Sequence, residues 1–262
     1  RDGVNDILAM KESDCSVTVA TGSDATKSIA HIVLMDNNFN SMPAVVAEGR
    51  RVINNIEKSS SLFLMKTLFT LTFAIISIFR KSIFPFDTQM MMMLEMVVIG
   101  LGSLALSMQP NLNKVSGKFV SYLFAHAIPG ALVLIMNVLA IELMTKYLPP
   151  FPDAGMRNTL MVAALSFGGL TYMHVICKPY NRFRVILMLV LTTILCVWTT
   201  RFMHFFVFKD AGGNQLSMPN IFDDFTTNWM YVAVLFAILQ FDIVIGNVLT
   251  WLSTLPSKNK NK

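Results

Sequence analysis

Two groups of residues in this sequence could do chemistry, and they are of different kinds. The first is Asp2-Gly3-Val4-Asn5-Asp6, which puts two carboxylates and a carboxamide within five positions beside a glycine that allows close backbone approach to a ligand. Phosphoryl transfer is mostly positioning and neutralisation of charge, and a carboxylate that holds Mg2+ beside the acceptor provides the second; Asp2 is placed for that. Read without context, the same residues make an ordinary Asx turn.

The second group consists of charged residues inside apolar stretches: Lys66, Glu95 and Asp242, with Glu142 and Arg201 near the ends of such stretches. Charges there are costly and mark ion paths or interhelical pairs. Glu95 is the best cation donor among them. Lys66, Thr67, Thr70, Ala74 and Ser77 fall on one face at helical spacing, a polar stripe that lines a path or a helix interface. At a rise of ~1.5 Å per residue Lys66 lies about 6 Å and Glu95 about 20 Å inside the same edge, a gap longer than a lysine reaches. Direct pairing is therefore not expected, and Lys66 is read as reaching back to the interface. Asp242 points away from the face shared by Gln240, Ile243 and Asn247 and is not counted as an ion contact, while His126 and His174 are read as interhelical hydrogen-bonding residues.

The elements that must position these groups follow from composition. Of 262 residues 54% are hydrophobic and 14% charged, with Phe 20 and Met 19, which excludes an ordinary soluble domain. Apolar windows of ~20 residues lie at about 62 to 79, 89 to 108, 119 to 141, 159 to 177, 183 to 200 and 229 to 252, predicting six membrane spans in a lipid bilayer. The first follows some 55 mixed residues and is no signal peptide. The net charge of +5 reads as membrane orientation rather than nucleic-acid binding, since no basic run is interleaved with aromatics. Lys114, Lys118, Lys178, Arg182, Arg184 and the Lys258, Lys260 and Lys262 tail fall on one side, which the positive-inside rule makes cytosolic, with both ends there. Cys15, Cys177 and Cys196 are too few and too scattered for a disulfide framework or a thiolate metal site. The Met90 to Met93 run reads as lipid-facing or helix-packing filler.

Ahead of the spans, short apolar runs at Ser16 to Ala20 and Ile29 to Met35 alternate with turn residues, predicting an α/β layer too short to bury a core alone. From Ser41, with Pro43 near its start, one stiff helix can run into the first span. Pro129-Gly130 in the third span predicts a kink.

The stretch Arg1 to Phe39, with its DGVND loop, the GSD turn at Gly22-Ser23-Asp24 and the VL-x-D-x-NF segment ending at Phe39, resembles the end of the phosphorylation domain of P-type ATPases. Ala47-Glu48-Gly49-Arg50-Arg51-Val52-Ile53-Asn54-Asn55 is similar to the stalk leading into that family's fifth transmembrane helix. Phe84-Pro85-Phe86-Asp87 through Gln109-Pro110-Asn111 resembles the fifth-to-sixth helix region of the bacterial cation-transporting members, most like the E-type, calcium-transporting group. The resemblance implies an α-helical polytopic membrane protein with six transmembrane helices equivalent to helices five to ten. The edge of a HAD-like α/β phosphorylation domain would precede it. It divides the chain into that edge over 1–40, a stalk over 41–61, membrane helices over 62–252 and a basic cytosolic tail over 253–262.

The same resemblance implies that Asp2 is a direct Mg2+ ligand, that Asp6 supports that site and that Asn5 hydrogen-bonds around the phosphoryl group. Glu95 takes the place of a ligand Asn and Thr70 that of a ligand Glu in calcium pumps, while Ile99 replaces a ligand Asp, so a single hard cation fits better than two. No Cys-Pro-Cys of the heavy-metal branch occurs in any span, and the sequence contains no DKTG or TGE, so the acceptor Asp and most of the ATP pocket are expected in the missing N-terminal part of the same pump. The implied activity is ATP-driven transport of a divalent cation such as calcium across the plasma membrane. The alternatives are a non-catalytic membrane remnant or subunit, and a lipid-moving relative, although lipid movers carry DGAND.

Overall fold

The computed structural model describes residues 4–80, 88–115, 118–147, 154–209, 215–223 and 225–254. The chain divides into two compact units, 1–53 with 111–114, and 54–110 with 115–262.

In the first unit a short turn of 3-10 helix, Val4–Asp6, leads into α1 (Ile7–Glu12). Strands β1 (Val17–Val19) and β2 (Ile32–Leu34) pair in parallel, with Val17 opposite Ile32 and Val19 opposite Leu34. Parallel neighbours need a crossover, and α2 (Asp24–Ile29) supplies it. That helix begins where the Ser23 hydroxyl accepts the Thr26 N–H at 3.2 Å, satisfying a donor the helix itself cannot pair. Both expected apolar runs become strands; the second is trimmed because Ile29 still closes α2. The Asp36 carboxylate accepts from the Ser41 hydroxyl and from the Asn38 N–H, and these bonds hold it below the usual carboxylate range. Asn37 takes a left-handed conformation, φ 55°, which an Asx side chain tolerates, and its Oδ1 receives the Thr21 N–H at 2.9 Å. Among the described residues of this unit only Met10 and Leu34 are fully buried hydrophobics, while Leu8 and Met35 stand 77% and 79% exposed.

Six helices among the described residues are long and apolar enough to cross a membrane. The first is the upper part of α3 (Met42–Arg80), which runs 39 residues without a break. The second is composite: α4 (Thr88–Met93), a π-helical stretch Leu94–Leu101, then α5 (Gly102–Ser107). Next come α6 (Phe119–Tyr147), uninterrupted through Pro129, and α7 (Ala154–Ile176). Helix α8 (Arg182–Val197) continues through a second π turn, Trp198–Phe202, and α9 (Phe225–Thr254) is the last. Between α8 and α9 a small antiparallel pair, β3 (Val207–Lys209) with β4 (Gln215–Ser217), was not expected from composition.

The most buried helix is α7, with 83% of its apolar window inside the protein against 22% for α3 and α8 and 17% for α9. Small residues make that possible. A Cβ at Gly168 would stand 2.2 Å from Asn137 Nδ2 on α6, and one at Gly102 would meet Met173 Sδ at 2.8 Å. Helices without a water-driven hydrophobic effect between them associate through such close packing. Of the Met run, Met90, Met91 and Met93 are buried and Met92 is exposed, so it is mainly packing filler.

One end of the bundle is clamped by Arg184. By sequence it is a loop charge, yet it is 7% exposed. Its Nε donates to Gln109 Oε1 at 2.7 Å, and its Nη1 donates to the carbonyls of Cys177 at 3.0 Å and Pro179 at 2.6 Å. The Gln109 carbonyl in turn accepts from Asn55 Nδ2 at 2.7 Å, so α3, α7 and α8 are joined through one guanidinium. The physical reason is that the turn ending α7 leaves the carbonyls of Cys177 and Pro179 beside the Gln109 amide oxygen, and a five-donor fork satisfies all three together. Arg184→Ala is expected to cost about 3 kcal/mol, since several buried acceptors lose their donor. Thermal unfolding in detergent measures it, and an unchanged transition would show that the clamp is dispensable.

Candidate functional site

Glu95 is at the centre of the site. Its Oε1 lies 2.5 Å from Lys66 Nζ, an ion pair between α3 and the π-helical stretch. This corrects the expectation that the two are too far apart. The expected depths start from separate edges, Leu62 on one helix and about residue 108 on the other, and hold only if the two edges are level. They are not level. Asn55 Nδ2 donates to the Ser107 carbonyl at 3.0 Å and Ser59 Oγ to the Ser103 carbonyl at 3.3 Å, so four residues forward on α3 match four residues back on α5. Seven more residues along α3 reach Lys66, and eight back reach Glu95. In this register Glu95 is only about 7 Å deeper than Leu62, at ~1.5 Å per residue, not about 20 Å. The π turn packs more residues into each turn and shortens the distance further.

A π-helix is uncommon and tends to occur where a helix has been adapted for function. Here it covers Leu94–Leu101 and so includes Glu95 and Ile99. The Glu95 side chain remains 42% exposed and that of Lys66 31%, whereas Ile99, at 2%, is sealed in the core and offers no donor. Thr70, one helical turn from Lys66, is half-buried, and its hydroxyl is buried without a hydrogen-bond partner. Thr67 leaves the predicted stripe: it is exposed, and its hydroxyl donates back to the Phe63 carbonyl at 3.0 Å. Leu62, Met65, Phe69 and Phe73 form the packed edge of α3, with Lys66 and Thr70 beside it.

The other intramembrane polar residues separate from this site. Glu142 pairs with Arg157 between α6 and α7. Asp242 is 4% exposed and bonded to Asn137, on the side of α9 away from Gln240 and Ile243 as the helical spacing predicts. His174 is not interhelical: it meets the Tyr180 hydroxyl at 2.5 Å in the turn that follows its own helix. His126 is corrected: its Nδ1 lies 2.9 Å from the Tyr122 carbonyl of its own helix, because the ring folds back onto Tyr122 instead of crossing to a neighbour. Neither the Asn137 contact nor the Arg184 clamp is legible in sequence, since a lone Asn or Arg carries no periodicity.

At the other candidate site, Asp2 and Gly3 lie outside the described residues. Asn5 is exposed, and Asp6 is half-buried at the start of α1. Their oxygens are of the hard type that Mg2+ takes. Among the described residues no three His, Cys, Asp or Glu side chains gather as a metal cluster.

No family model matches the chain. Over 199 residues, 71% of this chain, it is 33% identical to a probable cation-transporting ATPase, exp7, of Streptococcus pneumoniae serotype 4. It is 34% identical over 203 residues to the calcium-transporting ATPase CtpE of Mycolicibacterium smegmatis, again 71% of this chain. Its homologues are P-type cation-transporting ATPases. A probable plasma membrane-type calcium-transporting ATPase 8 of rice, Oryza sativa subsp. japonica, is 24% identical over 257 residues and covers 97% of the chain, so the P-type ATPase similarity includes the α/β unit as well as the membrane helices. The chain spans about a quarter of the length of these relatives: 25% of the first two and 23% of the rice protein.

Proposed function

We propose that this chain is part of an ATP-driven cation pump working through a phosphoenzyme, that it moves a divalent cation such as calcium across the plasma membrane, and that both of its ends are cytosolic. The observation that carries this reading is the Lys66–Glu95 pair on a π-helical turn, with the Thr70 hydroxyl buried and unpartnered one turn away. An intramembrane carboxylate that is still two-fifths exposed can exchange its ammonium partner for a cation; one sealed in the core could not. Glu95 and Thr70 are then donors to the transported ion, and Lys66 holds the carboxylate between binding events. A single carboxylate is a small donor set for calcium, which takes 6–8 oxygens, so further oxygens come from the part of the pump outside this chain.

At the phosphoryl site Asp2 would hold Mg2+, Asp6 would support it and Asn5 would hydrogen-bond around the phosphoryl group. Mg2+ supplies neutralisation of the phosphate charge there. Most of the ATP pocket lies outside these residues.

The reading is tested by reconstituting the full-length protein into vesicles. ATP-dependent uptake of radiolabelled calcium is expected, and uptake indifferent to ATP would overturn it. The 262-residue chain by itself, lacking DKTG, is expected to form no acid-stable phosphoenzyme from labelled ATP. A labelled band from it would refute the assignment of the acceptor to another segment.

A further inference from the structure

Among the described residues, Asp242 is the only aspartate within the six spans. It is 4% exposed and its neighbour Asn137 is 1% exposed. Asn137 Nδ2 donates to Asp242 Oδ2 at 2.9 Å and also to the Ala164 carbonyl at 3.1 Å, which brings α6, α7 and α9 to one point. The pair borders a cavity of about 300 Å³ whose other walls are apolar, Met136 and Phe241 among them. Gly168 makes the room: any Cβ there would stand 2.2 Å from Asn137 Nδ2 and 3.4 Å from Asp242 Oδ2.

Two facts point to the occupant. The first is the absence of countercharge. Helix α9 carries no other charged side chain; Arg157 on α7 is bonded to Glu142 of α6; and the remaining titratable groups of these helices, Tyr122, His126, Lys146 and Tyr147 on α6, Tyr172 and His174 on α7 and Tyr231 on α9, do not line the cavity. A bare carboxylate in that setting would be an uncompensated charge in hydrocarbon. The second is that Asn137 Oδ1 is buried with no hydrogen-bond partner. An amide whose N–H already donates to one carboxyl oxygen, and whose carbonyl lacks a donor, is half of the cyclic pair that a carboxylic acid forms with a carboxamide. A proton on the second oxygen of Asp242 completes the ring and satisfies the orphaned acceptor.

We infer that Asp242 and Asn137 form a proton-binding site inside the membrane helices, separate from the Lys66–Glu95 site. The proton comes from water and adds to Asp242; no bond other than O–H is made. The inference does not depend on the transported ion.

Infrared spectroscopy of the 262-residue chain in phosphatidylcholine vesicles tests it. At neutral pH, where exposed carboxylates are ionised, a carbonyl-stretch band of a protonated carboxylic acid is expected. It should shift when aspartate is isotopically labelled, which separates it from Glu95 and Glu142 without any mutation. The band should vanish in Asp242→Asn and move to higher frequency in Asn137→Leu, where the hydrogen bond from the acid is lost. Absence of the band in the wild-type protein, or its indifference to aspartate labelling, would overturn the assignment. So would its disappearance on adding sodium, potassium or calcium at constant pH, because the site would then take a metal cation.

Discussion

Apparent cation affinity in the full-length pump is expected to fall about a hundredfold when Glu95 is replaced by Gln, about 2.8 kcal/mol at ~1.4 kcal/mol per decade. The size follows from removing the one carboxylate among the proposed ion donors, since a contact to a charged group contributes about 1.5–3 kcal/mol. Expression and folding should survive, because Gln keeps the shape of the side chain. Lys66→Met is expected to act in the opposite sense: with no ammonium to displace from Glu95, the ion competes only with water and binds more tightly. Measuring calcium dependence of ATP turnover in both variants separates a transport role from a structural one. Wild-type affinity in Glu95→Gln would exclude the carboxylate as an ion donor, and equal losses in both variants would mean the pair merely holds two helices together.

The second large effect concerns what keeps that pair in register. A Cβ at Gly130 would lie 2.5 Å from Tyr172 Cε1, 2.6 Å from Cδ1 and 2.7 Å from Met65 Sδ. Tyr172 is 1% exposed and Met65 is fully buried, so a rigid ring and the residue next to Lys66 both press on this glycine. A flexible side chain end would yield; the ring has nowhere to turn. Gly130→Leu should therefore destabilise the bundle by about 3 kcal/mol or more through overpacking. Thermal unfolding in detergent reads the loss, and the surviving folded fraction should also bind its cation more weakly because Met65 and Lys66 move together. A variant as stable as wild type would mean that α6 and α7 do not approach so closely.

The sequence by itself determined the six apolar helices, since crossing a bilayer requires only enough consecutive apolar residues, a property of one dimension. It also determined the two short strands, from alternating apolar runs between turn residues, and the choice of Glu95 as a residue of interest, because a charge inside a span is conspicuous wherever it sits. It foresaw that Asp242 points away from Gln240 and Ile243, as helical spacing alone requires. What it could not determine was how far each helix slides past the next. Lys66 meets Glu95, 29 positions away in sequence, only because Asn55 and Ser59 fix α3 against the carbonyls of Ser107 and Ser103 and a π turn shortens the facing helix. Asn137 meets Asp242 across 105 residues because Gly168 leaves space between three helices, and Arg184 is a clamp and not a surface charge because the carbonyls after α7 and the Gln109 amide oxygen converge on it. Depth along a helix axis and contact across helices depend on packing between segments remote in sequence, so tertiary structure alone decided them.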